Sequence, residues 1–135
     1  MDLRIDASDG AQWLELRKLH LQEGAADYSG QLRVRVAGRV HDRPFWFGRN
    51  DLAEFLREAE WLLSSTAGEA TLNHVGLPDY FTLTRDALGW VMAGELFHFS
   101  DAEQHVRFQF QVPSPAVEAL LSAMGALVEQ RAPAG

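Results

Sequence analysis

The chain has 135 residues, of which 47% are apolar and 23% charged, with a net charge of −7 and a pI of about 5.1. That length reads as one domain over 1–135, long enough for a core of ordinary stability, with 132–135 as a frayed tail. The composition excludes a disulfide framework, a thiol nucleophile and a cysteine zinc site, because there is no cysteine, and the acidic balance repels phosphate backbones and so argues against nucleic-acid binding.

No apolar run approaches the roughly 20 residues that a membrane span needs. The opening Met1-Asp2-Leu3-Arg4-Ile5-Asp6 has neither a basic nor an apolar leader region, so the expected location is the cytoplasm. Arginine outnumbers lysine eleven to one. Genomic base composition explains such a bias, and selection for bidentate contacts is the functional alternative.

In chain order, Trp13 to Leu21 alternates loosely, and a slip at Arg17-Lys18 suggests a bulge. Gln31 to Val36 alternates cleanly, with Leu32, Val34 and Val36 on one face and Gln31, Arg33 and Arg35 on the other. Val40-His41-Asp42-Arg43 reads as a hairpin turn into the aromatic strand Pro44–Gly48. Asn50 or Asp51 then caps a helix whose apolar stripe is Leu52, Phe55, Leu56, Ala59, Leu62 and Leu63, with Glu54 and Glu58 outside. Strands follow at 70–75, 80–84 and 90–99, separated by the turns Gly76–Asp79 and Arg85–Gly89.

His105 to Val112 alternates strictly, and after Pro113-Ser114-Pro115 the apolar residues Val117, Leu120, Leu121, Met124, Leu127 and Val128 recur at helical spacing. One-faced strands and one-striped helices imply an α+β fold, a single antiparallel sheet of about 6–7 strands with both helices packed on one face. No repeat is visible at the level of residues.

The densest polar cluster is His98, Asp101, Glu103 and His105, around a predicted hairpin. These are acceptable ligands for zinc, but a solvated turn has the same composition, and no metal or cofactor is assigned. No serine lies in a Gly-x-Ser-x-Gly elbow, His20, His41 and His74 have no recognisable partners, and Gly24, Gly30 and Gly38 read as turn glycines and not as a phosphate loop. Glu58 and Glu60 read as helix-surface solubility. No catalytic residue is assigned, and the chain is read as a non-enzyme.

The outward sheet face, by parity, carries Arg33, Arg35, Trp46, Thr71, Asn73, Tyr80, Thr82, Thr84, His105, Arg107, Gln109 and Gln111. Arg, Tyr and Trp are the residue types enriched where proteins bind one another. The expected partner-binding residues are therefore Arg33, Arg35, Trp46, Tyr80 and Arg107, with the aromatics as anchors. A different class of reading is a small-ligand pocket between sheet and helices, lined by Trp61 and Trp90.

Two stretches carry a family resemblance. One is the aromatic strand and helix start Phe45-Trp46-Phe47-Gly48-Arg49-Asn50-Asp51-Leu52-Ala53-Glu54-Phe55-Leu56. The other is Gly89-Trp90-Val91-Met92-Ala93-Gly94-Glu95-Leu96, a polar turn, Val106-Arg107-Phe108-Gln109-Phe110 and the closing helix. This order, from about Trp13 to Val128, resembles the WapI-type bacterial immunity proteins and related small families of unassigned role. The resemblance implies a protein that binds and neutralises a cognate toxin, often a nuclease, and a basic toxin would suit an acidic chain. It assigns no contact residue and no oligomeric state.

Calorimetric titration with zinc should show no stoichiometric site of micromolar affinity or better. A site lost in His98→Ala and His105→Ala would instead establish a metal centre on that hairpin.

Overall fold

The computed structural model describes residues 1–22, 27–97 and 105–129. Strands β1 (Leu3–Asp6), β2 (Trp13–Leu21), β3 (Asp27–Val36) and β4 (Arg39–Gly48) form one antiparallel meander, followed by helix α1 (Arg49–Leu63). Strands β5 (Gly68–Asn73), β6 (Tyr80–Asp86), β7 (Gly89–Phe97) and β8 (His105–Val112) form a second, followed by helix α2 (Ser114–Val128).

The α+β class and the antiparallel pairing hold. The expected single sheet does not: there are two four-stranded sheets, and β4 and β5 never pair. Helix α1 stands between them in the chain. It lies along β5, while α2 lies along β1, and the helices touch each other, so they do not share one face of one sheet. The four-residue β1, too short for its alternation of Leu3 and Ile5 to register as a pattern, was not expected either.

The two halves repeat. Both helices have 15 residues, and the buried ones occupy the same positions: Leu52, Phe55, Leu56, Ala59 and Leu62 in α1, and Val117, Leu120, Leu121, Met124 and Leu127 in α2. Both helices start at an extended residue without a side-chain cap, Gly48 and Pro113, where Asn50 or Asp51 was expected to cap α1. The cross-links repeat too. The loop after β5 donates Val75 N–H to Trp46 C=O on β4, and the loop after β1 donates Ser8 N–H to Gln111 C=O on β8, each at 2.8 Å. One apolar core joins the inner faces of both sheets and both helix stripes. Phe81 of β6 sits at its centre, 5.8 Å between ring centroids from both Phe45 and Phe55.

Local chemistry sets the register. The slip in β2 is a bulge between Arg17 and His20, with Lys18 at φ 56°, which moves the buried set from Leu14 and Leu16 to Leu19 and Leu21. Gly30 is not a turn residue: it lies inside β3, where a Cβ would sit 2.8 Å from both the Arg17 carbonyl oxygen and Leu19 Cδ2. Gly94 serves β7 likewise, because a Cβ there would lie 2.5 Å from Phe108 Cζ. The β3–β4 turn is Ala37-Gly38, both at positive φ, and not Val40–Arg43; a two-residue turn of that hand matches the strand twist.

Three polar contacts lock the halves. Asp79, expected in an exposed turn, is 0% exposed. Its Oδ1 accepts the Phe97 N–H at 3.4 Å, and its Oδ2 lies 3.5 Å from Arg43 Nε on β4, tying one sheet to the other. Arg85 Nη1 donates to the Leu62 and Leu63 carbonyls at 2.5 and 2.8 Å, placing a cation on the C-terminal end of α1. At the matching position of α2, the Tyr28 hydroxyl donates to the Leu127 carbonyl at 3.2 Å.

Asp79→Ala should cost about 3–5 kcal/mol in denaturant unfolding, because it leaves the Arg43 cation without its buried partner. Tyr28→Phe should cost about 1 kcal/mol at neutral pH through the lost hydrogen bond. Burial raises the Tyr28 phenol above its ordinary 10.0, against a smaller opposing pull from Arg49. The unfolded phenol therefore ionises first, and the Tyr28 contribution is intact below pH 10 and lost as pH rises beyond it. The stability gap between wild type and Tyr28→Phe should accordingly narrow in alkali, and a constant gap would show that the phenol does not titrate differently on folding.

Candidate interaction surfaces

The alternation of each strand gives each sheet one outward face, so the residues expected on a single face are divided. Arg33, Arg35 and Trp46 project from the first sheet, Tyr80 and Arg107 from the second. Thr82, assigned outward by parity, is nonetheless buried, its hydroxyl 2.9 Å from that of Thr71 on the neighbouring strand.

On the first sheet most of the arginines are occupied by the protein itself. Glu15 lies 3.4–3.6 Å from the guanidinium groups of Arg4, Arg17 and Arg33. Arg4 and Arg33 stack over Trp13 at 4.5 and 5.8 Å from the ring centroid, and Arg33 also reaches Asp42 at 3.6 Å. This lattice spends its charge internally, which limits what Arg33 can offer a partner. Arg35 is exposed beside it. On the second sheet Arg107 and His105 share Glu95, at 3.2 and 3.3 Å, and His105 stacks on Phe97 at 4.4 Å.

Trp46 is different. It is 51% exposed, and its carbonyl is the one held by Val75, itself exposed together with Leu77 in the same loop. Three exposed apolar residues, Trp46 on β4 and Val75 and Leu77 in the loop bonded to it, therefore stand where the two sheets are cross-linked. Asn73 begins the neighbouring surface, two residues before Val75, and Tyr80 pairs with it across β5 and β6. So Trp46 and Tyr80, though on different sheets, flank one connecting loop.

From Asn73 a groove of about 420 Å³ runs between α1 and β5, lined by Asp51, Glu54, Glu58, Glu69, Thr71 and Asn73. Among the described residues one ion pair touches this acidic wall, Arg57 to Glu54 at 3.8 Å. The repeat supplies an internal comparison. At the α2 positions matching Asp51, Glu54 and Glu58 stand Ala116, Ala119 and Ala123. The packing of a helix along an edge strand therefore does not require carboxylates there. Read singly, these acids look like ordinary helix solubility; laying the two helices side by side is the signal that separates them.

Trp61 is 63% exposed, and Trp90 is buried beneath the Arg85 guanidinium, 5.1 Å from its ring. Of the histidine and carboxylate hairpin, His98, Asp101 and Glu103 lie outside the described residues. Among the described residues no three His, Cys, Asp or Glu side chains are grouped to hold a metal ion, and no helix is long and apolar enough to cross a membrane. No family model, curated protein or solved structure matches the chain.

Proposed function

We propose that this chain is a non-enzymatic protein-binding domain of the immunity type, which captures a basic protein toxin and neutralises it by covering its working surface. The observation that carries this reading is the junction of an exposed aromatic anchor, Trp46 with Val75 and Leu77, and a groove walled by four carboxylates. An apolar centre beside a charged flank is the ordinary anatomy of a protein interface. The acids select the sign of the partner, and the overall charge of −7 extends the same field outward. The resemblance to WapI-type proteins points the same way, and steric blocking needs no cofactor. In this reading Tyr80 is the second anchor and Arg35 a polar contact at the rim, while Arg33 is largely committed to Glu15 and Asp42 and Arg107 to Glu95.

The test is capture of a partner from the source cells followed by affinity and rate measurements on variants. Trp46→Ala should weaken binding by about 2 kcal/mol, roughly 30-fold. Replacing Glu54, Glu58 and Glu69 by alanine should lower the association rate and flatten its dependence on salt, leaving the dissociation rate nearly unchanged. A captured partner whose binding ignores both changes would remove this surface from consideration.

A further inference from the structure

The repeat also compares two sheet edges within one molecule. β4 and β8 are the last strands of their sheets, and each takes one backbone hydrogen bond from the opposite half, at the Trp46 and Gln111 carbonyls. A carbonyl that accepts from outside the sheet points away from its own ladder. Antiparallel pairs alternate in this respect, so Pro44 on β4 and Gln109, Arg107 and His105 on β8 also direct their backbone groups outward. The 4.4 Å stack of His105 on Phe97 agrees, since side chains approach most closely at such pairs.

The two edges are protected differently. Pro44 has no N–H, so β4 cannot complete a ladder with an added strand. Gln109 stands at the matching position, five residues before the start of its helix as Pro44 is before its own, and it keeps its N–H. Among the described residues no backbone group pairs with the outward side of His105, Arg107 or Gln109. An edge strand that keeps its outward N–H and C=O groups is a template for another strand.

We infer that β8 is a dimerisation edge, on which a second copy of this chain lays its own β8 antiparallel, about a two-fold axis at Phe108. In that register Arg107 of one copy stands opposite Gln109 of the other, and each exchanges its outward backbone bonds with its opposite. Pairing ends where Ser8 already holds Gln111. The strand His105–Val112 contains no carboxylate, so two chains of charge −7 meet along a segment free of acid–acid opposition. Two hollows of about 260 Å³ flank the edge, both bordered by Gln109. Asp86 lines one of them, beside Gln109 and Gln111, and this hollow faces the incoming Arg107. The other, lined by Tyr80 and Glu95, faces the incoming Gln109. The edge thus offers backbone pairing for affinity and alternate side-chain hollows, each bordered by one carboxylate, for register.

Sedimentation of the full chain from micromolar to millimolar concentration tests this independently of any toxin. Wild type should form a concentration-dependent dimer. Gln109→Pro gives β8 the block that β4 already has; it should raise the dimer dissociation constant about tenfold or more while the circular-dichroism spectrum is kept. Arg107→Glu, which leaves the backbone intact and opposes Asp86 with a like charge, should weaken the dimer without touching the ladder. Trp46→Ala should leave it unchanged. A chain that stays monomeric throughout, or a dimer indifferent to both β8 variants, would overturn the inference.

Discussion

Everything in this fold follows from an exchange of cover between its halves. A four-stranded meander has two edges and two faces, and its apolar face needs more cover than its own sheet supplies. Each half carries a helix with one apolar stripe, but that helix does not lie back on the edge strand of its own sheet. It leaves β4 or β8, crosses, and lies along β5 or β1 of the other sheet. Leu3 and Ile5 of β1 and Ala70 and Leu72 of β5 are buried there. The single core, the Asp79–Arg43 contact between sheets and the two backbone cross-links at Trp46 and Gln111 all depend on this arrangement.

How much of this was legible depends on whether the signal is local. The strands β2, β3 and β8 and both helices announce themselves through period two and period 3.6, and the bulge shows as a phase slip at Arg17-Lys18. The division into two sheets is not local. An edge strand and a central strand alternate alike, so His105–Val112 reads the same whichever sheet it joins. Ala37-Gly38 makes a weak turn signal, since only one of its two positive-φ positions is a glycine, and the polar run Val40–Arg43 outcompeted it. Pro78-Asp79 has the character of a turn, because Pro and Asp both favour turns; the burial of Asp79 answers to Arg43, which lies far off in the chain. The parity that placed Arg33, Arg35, Trp46, Tyr80 and Arg107 outward was sound, while their division between faces required the sheet order.

The repeat also clarifies which residues the fold demands. Positions that match in apolar character, such as Phe55 and Leu120 or Leu62 and Leu127, are packing. Positions where the halves diverge were released from that demand. Asp51, Glu54 and Glu58 against Ala116, Ala119 and Ala123 is one such divergence, and Pro44 against Gln109 is another. Even the helix ends differ in means, with a cation from Arg85 on one and a phenol from Tyr28 on the other serving the same carbonyl position. Two copies of one architecture thus carry two different surfaces. The acidic one is fitted to attract, and the open edge is fitted to pair.

The exchanged helices have a consequence for the short connector Ser64–Ala67 between α1 and β5. A protease that cut it would separate the chain into two pieces without separating the molecule. Each fragment would still hold the helix that closes the other's core, as well as one side of the Asp79–Arg43 contact and of both backbone cross-links. Neither fragment could leave without exposing an apolar stripe and an apolar edge together. The peptide bonds of the connector fix the order in which the halves are made, but cohesion between them comes from the interlock.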